Sequence, residues 1–504
     1  MLSFPLILQN KVSSMQKLRK KVLDLLPALT LLICILQPVL DVFGFWAEDL
    51  RLPDAVLTVL RALGFLAFIL TVFIVSRRKK RFVILAAAIL IYLGCHFWAV
   101  SRPGLLNLYS DIKEQMRILM LLPLTLSFVC AFEENPRTFS ALKRGLLTNL
   151  IIICAVMLIS SLTGTDPHTY FSKNTGVLGW FLWPNGQCAI LCVLSVIALT
   201  LVCRRWPGKL LPMLGACAVC FLALFLLGTR ISFAAIPAIG AGLFVCLLVS
   251  DRRLLPTALT VLLVALAFTA MYPFSPTARS QKRSAENALI KQERINAAVA
   301  PYGVAADAKQ TDNPDALAAA YRYGLQGLVD RFGLETVSEK YGGSLAETDI
   351  FDNRQKKIVF NELLMEEQGT PAKLFGIEVS RMRQRTQYYD FYPDNWVDME
   401  EIYSVENDFH GIFFSGGLCL LLLICGSFLA FGLQALLVMI RRPKSVMQPE
   451  WIGFAGAFCF VILTSLLTSA LLRQANGTVY VAAVLAGLRH LSLPANDQTS
   501  EGAI

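Results

Sequence analysis

Apolar residues along this chain come in long runs that are separated by mostly short polar segments. A run of about 17 to 25 such residues is long enough for an α-helix to cross the hydrocarbon core of a bilayer. The pattern predicts twelve membrane-spanning helices. Their approximate limits are 23–45, 55–75, 82–100, 116–132, 146–163, 187–203, 210–227, 231–250, 254–272, 410–440, 451–472 and 478–491. The twelfth run is short, which predicts either a half-span or a helix that rests on its neighbours.

One polar segment is much longer than the others. Residues 273–409 hold 22 of the 36 acidic residues and include two helix-like stretches, Ser280–Val299 and Asp315–Phe332. A structureless loop of this length is uncommon, so the segment predicts a small, mostly helical domain between spans nine and ten. The predicted organisation is a terminal segment 1–22, nine spans in 23–272, the loop domain 273–409, three spans in 410–491 and a tail 492–504.

The composition restricts the class of protein further. Hydrophobic residues make up 55% of the chain and charged residues only 16%, against roughly 25% charged residues in ordinary soluble domains. These proportions exclude a soluble enzyme, a secreted disulfide scaffold and a disordered chain. The predicted fold class is therefore an all-α polytopic membrane protein.

The net charge of +10 is a topology signal rather than a nucleic-acid footprint. Basic residues are concentrated in every second short loop, as the positive-inside rule describes. The main clusters are Lys17–Lys21, Arg77–Arg81, Arg137–Arg144, Arg204–Lys209, Arg252–Arg253 and Arg441–Lys444. This pattern predicts a cytoplasmic membrane protein with both termini in the cytoplasm and the loop domain outside.

The cysteine pattern argues against a metal site and against disulfides in the loop domain. None of the 13 cysteines lies between Tyr272 and Leu418. Cys217 and Cys220 form the one CxxC pair, and no second pair accompanies them as a zinc site would require. We therefore expect neither a metal nor a cofactor.

Two arginines are candidate anion ligands. Arg230, in Gly228-Thr229-Arg230, lies outside between spans seven and eight, where the start of span eight adds unpaired N–H groups. Arg354 lies at the start of a predicted helix, where a cation opposes the helix dipole. Each has a structural alternative: Arg230 as a partner of helix-end carbonyl groups, and Arg354 as part of a solvated basic surface.

Three further residues are candidates for shaping a site at the outer face. Asp41, in Gln37-Pro38-Val39-Leu40-Asp41, either shapes a site or forms a structural pair with an arginine. The loop after span five carries Trp180 and Asn185. Its tryptophans fit an interfacial aromatic belt, and the alternative is a platform for a sugar or a prenyl chain.

The candidate acid–base residues lie where the loop domain meets span ten. Glu406, Asp408 and His410 fall within five residues of one another, and Glu406 and His410 would share one face of a helix. A carboxylate beside an imidazole is a reasonable general-base pair. The alternative is an acidic cap at a helix N-terminus, formed by Glu406 and Asp408.

Taken together, these features resemble the O-antigen ligase/polymerase superfamily of glycan-transferring membrane enzymes, in the branch common in Gram-positive bacteria. The resemblance covers most of the chain and rests on the order and placement of short motifs. These are Gln37-Pro38-Val39-Leu40-Asp41, Gly179-Trp180-Phe181 with Asn185, Gly228-Thr229-Arg230, Leu374-Phe375-Gly376, and Glu406-Asn407-Asp408-Phe409 followed by Gly416-Gly417.

The resemblance implies a reaction and its partners. A glycan would be transferred from an undecaprenyl-pyrophosphate carrier to a hydroxyl of a glycan or cell-wall acceptor on the outer face of the membrane, without a metal. Arg230 matches the arginine after span seven, and Arg354 matches a loop arginine, so both would hold the pyrophosphate. Glu406 stands where the ligases have a catalytic histidine followed by asparagine, so the base is either Glu406 or His410, one turn on.

Two other classes of protein also fit twelve spans. A lipid-linked oligosaccharide flippase or another secondary transporter would not normally need a large external domain, and no internal repeat is evident in the sequence. A non-enzymatic scaffold gives no reason for Arg230 and the Glu406–His410 cluster to share one face of the membrane. The enzyme is therefore the preferred interpretation, followed by the transporter.

Overall fold

The structure is a computed structural model, and it describes residues 4–51, 54–170, 174–305, 307–382, 384–391, 394–401, 405–443, 447–468 and 471–493. The predicted tail, 492–504, therefore lies almost entirely outside the described residues. Almost all of the described chain is helical, as the apolar runs predict. Thirteen helices make up the bundle, and seven short or medium helices with one hairpin lie between the tenth and the last three.

The first ten helices precede the loop domain. They are α1 (Phe4–Asp49), α2 (Asp54–Val75), α3 (Lys79–Ser101), α4 (Leu108–Leu119), α5 (Leu121–Glu134), α6 (Arg137–Thr163), α7 (Pro184–Arg205), α8 (Leu210–Leu227), α9 (Arg230–Ser250) and α10 (Leu255–Ala270). The helix α1 begins well before the apolar run, so the predicted segment 1–22 and span one form one continuous helix in the described residues. The helices α4 and α5 follow one another as a single predicted crossing.

The remaining elements form the loop domain and the last three bundle helices. They are α11 (Pro276–Val299), α12 (Pro314–Tyr321), α13 (Gln326–Phe332), α14 (Leu334–Tyr341), α15 (Glu347–Ile350), α16 (Asn353–Gln368), α17 (Thr370–Phe375), β1 (Gln384–Phe391), β2 (Asp394–Glu401), α18 (Asp408–Arg441), α19 (Pro449–Leu467) and α20 (Ala475–Ser492). The strands β1 and β2 pair antiparallel, with Tyr389 opposite Trp396. These strands lie in the aromatic-rich part of a segment for which the sequence predicts mostly helix, and Tyr392 and Pro393 of that part lie outside the described residues.

Eleven helices in the described part of the chain are long and apolar enough to cross a membrane, and they match the first eleven predicted spans. The twelfth run forms α20, which is not among the helices long and apolar enough to cross a membrane. Nearly all of α20 is buried against α5, α18 and α19. Because its neighbours rather than lipid surround it, α20 tolerates small and polar residues such as Asn476 and Gly477. Trp451 at the start of α19 donates to Ser492 at the end of α20, so the two helices run antiparallel along their length (3.2 Å).

The residues between α10 and α18 have hydrophobic clusters of their own. One cluster is confined to α11–α16 and its connections and includes Ile295, Tyr321 and Val359. A second cluster contains Phe360 of α16, Ile377 after α17 and Phe414 of α18. The first cluster gives the loop domain a core, and the second fastens that domain to the bundle. We call the end of the bundle that carries this domain the loop end.

Candidate functional site at the loop end

A cavity of about 360 Å³, lined by both polar and apolar side chains, opens at the loop end. Its wall is formed by the end of α1, the start of α2, part of α4, the start of α7, Glu406 before α18 and the start of α20. The cavity is therefore built from segments that lie far apart in the sequence. The predicted candidates Asp41, Asn185 and Glu406 all line it, which brings three separate motifs to one place.

Ion pairs hold the charged residues of the cavity wall in position. Asp41 pairs with Arg61 of α2 and accepts a hydrogen bond from the side-chain amide of Asn476 (3.2 Å). Of the two alternatives for Asp41, the ion pair with an arginine is thus observed, and the pair itself faces the cavity. Because the partners come from α1, α2 and α20, this contact also fixes three helix ends relative to one another.

A second group of charged residues in the same cavity wall is centred on Glu114. Glu114 of α4 accepts a hydrogen bond from Nε of Arg473 at 2.9 Å, and Nη2 of Arg473 lies 2.8 Å from the same carboxylate oxygen. Arg117 lies 3.7 Å from the other carboxylate oxygen of Glu114. Both Glu114 and Arg473 are buried, with 3% and 6% of their surface exposed, so this pair is shielded from bulk water.

Glu406 and Arg354 form a more exposed pair at the cavity. The carboxylate of Glu406 accepts a hydrogen bond from Nε of Arg354 at 2.6 Å. Arg354 lies in the first turn of α16, where a cation is unfavourable, but Asp352 caps that helix and Glu406 supplies a compensating charge. The unfavourable position of the Arg354 cation at a helix start is therefore compensated by the carboxylates of Asp352 and Glu406.

Tyr170 lies near both this pair and Arg230. Burial raises the pKa of the Tyr170 phenol; the nearby charges of Arg230 and Arg354 act against that rise, and Glu406 adds to it. Tyr170 is thus close enough to all three residues to sense their charges. Arg230 itself is exposed at the first position of α9, where Thr229 caps the helix by accepting from the Ser232 N–H.

The start of α18 differs from the expected shared helix face. The helix begins at Asp408, and Asn407 caps it by accepting from the N–H groups of Phe409 and His410 (2.9 and 3.1 Å). Glu406 therefore precedes the helix and lines the cavity. His410 is exposed and stacks on Phe414, with the ring centroids 6.2 Å apart.

Asp408 is buried between the starts of α18 and α20. One of its carboxylate oxygens accepts hydrogen bonds from the N–H groups of Leu471 and Leu472, at 3.1 and 3.0 Å. These contacts hold the segment before α20 against α18. Because that segment carries Arg473, Asp408 helps to position the cavity wall.

The loop after α6 contributes one of its tryptophans to the cavity. Trp183 and Asn185, at the start of α7, line the wall. Trp180 instead packs edge-on against Trp46, with ring centroids 5.4 Å apart, and donates from its indole nitrogen to Thr165 (2.9 Å). Trp180 therefore holds this loop against α1.

Two glycine-containing motifs identified in the sequence contact each other directly. The backbone around Gly376 lies against Ser415 and Gly416, and Gly417 lies against Leu374 and Phe375. Gly417 has a φ of 70°, which interrupts α18. The N–H of Ile377 donates to the Phe414 carbonyl group at 2.8 Å. The backbone at the base of the loop domain is thus in direct contact with the backbone of α18.

A buried His–Asp pair reinforces this joint. His96 and Asp111 have fully buried side chains 2.7 Å apart. The other ring nitrogen of His96 lies 2.6 Å from the Phe375 carbonyl oxygen, and Asp111 accepts from the Val379 N–H at 3.1 Å. Neither residue was predicted from the sequence as part of a site. The available signal was a histidine within an apolar run, His96, followed by an aspartate in the next loop, Asp111.

Three further residues near the cavity, Glu114, Arg473 and Tyr170, were not predicted from the sequence. Glu114 and Arg473 lie at span edges and Tyr170 lies in a loop, where charged and aromatic side chains are common, so position alone does not distinguish them. Among the described residues, no three His, Cys, Asp or Glu side chains converge as the ligands of a metal ion would.

Comparison with known proteins agrees with this arrangement. A family model described as O-antigen ligase like membrane protein matches residues 23–490, which is nearly the whole chain. No curated protein matches the sequence. The match extends across both parts of the bundle and the loop domain between them, and therefore the chain belongs to the O-antigen ligase like family of membrane proteins.

Proposed function

We propose that this protein transfers a glycan from an undecaprenyl-pyrophosphate carrier to a hydroxyl group of a glycan or cell-wall acceptor at the outer face of the cytoplasmic membrane. Membership of the family implies a membrane enzyme of glycan ligation or polymerisation. The carrier, the outer-face location and the residue roles are the proposal. The observation that carries it is the Arg354–Glu406 pair, which lies beside the cavity and, through Tyr170, near Arg230.

Arg230, Arg354 and Tyr170 would bind the pyrophosphate of the donor. A guanidinium group presents several N–H donors in a planar fork that suits phosphate oxygens. Arg230 is also the first residue of α9, where unpaired backbone N–H groups and the positive end of the helix dipole favour an anion. As the bond to the sugar breaks, negative charge grows on the pyrophosphate, and these groups stabilise it.

Glu406 would serve as the general base. In the structure its carboxylate accepts a hydrogen bond from Arg354, so this oxygen is not free to take a proton from an acceptor. A bound pyrophosphate competes for Arg354, and this exchange releases Glu406. Glu406 would then be free to act as the base only when the donor is bound.

In the proposed reaction, protons and electron pairs are exchanged only among Glu406, the acceptor and the donor. Glu406 takes the proton of the acceptor hydroxyl, and the acceptor oxygen forms a bond to the anomeric carbon of the donor sugar. The bond between that carbon and the pyrophosphate oxygen breaks, and its electron pair remains on the leaving pyrophosphate. The products are the extended acceptor, the carrier pyrophosphate and a protonated Glu406.

A reconstituted transfer assay with an undecaprenyl-pyrophosphate-linked glycan tests the proposal. Wild-type protein should release the carrier, and Arg230→Ala should reduce release by at least tenfold. Arg252→Ala is the matched control, because Arg252 is an exposed arginine beyond the other end of α9 and should release carrier at the wild-type rate. Wild-type protein that moves labelled lipid across the vesicle without releasing carrier would instead support a flippase.

A further inference from the structure

The cavity beside Glu406 carries more recognition groups than pyrophosphate binding requires. Three arginines line it, Arg61, Arg117 and Arg473, and three carboxylates line it as well, Asp41, Glu114 and Glu406. The wall is therefore formally neutral. An anion site would have an excess of cationic groups, and a cation site would have an excess of carboxylates. A neutral wall with many fixed charges suits an uncharged, strongly polar ligand.

Side-chain amides add to the polar groups of the wall. Asn185, Gln187, Gln474 and Asn476 all line the cavity, and each amide offers both donors and an acceptor. This combination matches neighbouring hydroxyl groups of a sugar, which also donate and accept.

Two of the lining side chains have buried donors that no described residue satisfies. Gln187 is 3% exposed and Arg473 is 6% exposed. Among the described residues, Nε2 of Gln187 and Nη1 of Arg473 have no hydrogen-bond partner. Nη1 of Arg473 packs against Gly411 of α18, so Gln187 is the lining side chain whose unpaired donor a ligand acceptor would satisfy once its amide turns into the cavity.

The apolar part of the wall is also suited to a sugar. Phe181 and Trp183 line the side formed by the start of α7. The cavity volume of about 360 Å³ is near the lower end of the usual range for small-molecule sites, roughly 300–1,000 Å³. This size fits the end of a saccharide rather than a long polymer.

We propose that this cavity binds the uncharged, hydroxyl-bearing end of the acceptor glycan. The inference rests on the proposed function and assigns the second substrate of the same site. Glu406 lines the cavity and also contacts Arg354, so it stands between the acceptor and the donor pyrophosphate. A sugar held by the amides and ion pairs presents a hydroxyl group to Glu406, while the donor approaches from the side of Arg230.

Ligand-dependent thermal unfolding of the purified full-length protein tests the inference. The probes are a panel of neutral mono- and disaccharides and, separately, inorganic pyrophosphate. A ligand that binds only the folded state raises the unfolding midpoint in proportion to its occupancy. We expect at least one saccharide to stabilise the wild type and Gln187→Leu or Trp183→Ala to weaken its apparent affinity about tenfold. Trp206→Ala is the matched control, because Trp206 is an exposed tryptophan just beyond the opposite end of α7.

Comparing the two ligands distinguishes binding in the acceptor cavity from binding at the donor site. Pyrophosphate should stabilise Gln187→Leu as much as the wild type and should lose its effect in Arg230→Ala. Saccharide binding should survive Arg230→Ala. The inference is overturned if no saccharide stabilises the wild type, or if Gln187→Leu abolishes the effect of pyrophosphate, since the cavity would then be an anion site. Failure of the proposed function is a distinct result: wild-type protein would release no carrier in the transfer assay.

Discussion

Glu406 makes the residue-scale contact on which the proposed chemistry depends. Its partner Arg354 belongs to the loop domain, whereas Glu406 immediately precedes a bundle helix. The same contact distance, 2.6 Å, is found between Arg331 and Glu367 on the loop domain, away from the cavity. The Arg331–Glu367 pair therefore offers a comparison for the pair at the candidate site.

We expect Glu406→Gln to lower the rate of glycan transfer by about 10²–10⁴-fold, which is the usual contribution of a general base. Donor binding should be kept or strengthened, because Arg354 loses a competing carboxylate. The measurement is carrier release together with donor affinity in the reconstituted assay. Glu367→Gln is the matched control and should transfer at the wild-type rate; equal loss in both variants would remove Glu406 from the proposed chemistry.

Gly417 of α18 lies directly against the base of the loop domain. Its φ of 70° is unfavourable for residues with a side chain, and a Cβ atom there would meet the Leu374 carbonyl oxygen at 2.4 Å. We expect Gly417→Ala to lower the free energy of unfolding by roughly 1–3 kcal/mol. Gly426→Ala, in the same helix with open space beside it, should change little. Thermal unfolding of both variants checks this, and equal midpoints would contradict the close approach.

At the scale of elements, α3 and α4 hold the base of the loop domain through His96 and Asp111. The pair bonds to backbone groups of Phe375 and Val379, on either side of the turn that follows α17. A further buried carboxylate, Glu378, accepts from the Leu106 N–H at 2.9 Å. The connection between α3 and α4 and the segment after α17 therefore form one joint.

Removal of the Asp111 carboxylate should loosen this joint. Asp111→Ala leaves the Val379 N–H and a His96 ring nitrogen without their partner, which costs about 1–3 kcal/mol for each buried group. We expect faster limited proteolysis within residues 374–382 in protein reconstituted into lipid. Ile112→Ala alters the exposed neighbouring side chain and is the control. Unchanged proteolysis in Asp111→Ala would show that other contacts are sufficient.

The bundle was predictable from sequence because each membrane-spanning helix needs an apolar run of a defined length. Eleven predicted spans match the structure, and the weak twelfth run is a buried helix. The site was predictable only in part. Asp41, Asn185 and Glu406 were identified from motifs, and the cavity brings them together. Glu114 and Arg473 were not, because these two paired residues are 359 positions apart in sequence and no local pattern indicates their contact.

At the scale of the whole molecule, the two ends of the bundle carry different charge arrangements. At the loop end, arginines and carboxylates surround a cavity. At the opposite end, Glu133 lies within 4.0 Å of Arg78, Arg81 and Arg489, and Glu134 pairs with Arg19 at 2.8 Å. The basic clusters of the sequence are thus partly neutralised where helices meet, and the rest of their charge faces outward.

The positive-inside pattern predicts that the loop domain is outside the cell and the basic end is in the cytoplasm. A membrane-impermeant maleimide should label Glu339→Cys, in the loop domain, in intact cells. Pro207→Cys, in the connection between α7 and α8, should react only after permeabilisation. The protein without an introduced cysteine gives the background from its own thiols. Labelling of Pro207→Cys in intact cells would reverse the orientation.

The enclosure of α20 has a consequence for how the protein is made. This helix follows every other bundle helix in the chain, yet it contacts α5, α18 and α19 and supplies one wall of the cavity through Asn476. Its sequence is poorly suited to lipid on its own, so its insertion during synthesis depends on helices that are already in the membrane. The cavity therefore cannot form before α20 has been synthesised, and a chain that stops before α20 would have most of the bundle in the membrane but an incomplete cavity wall.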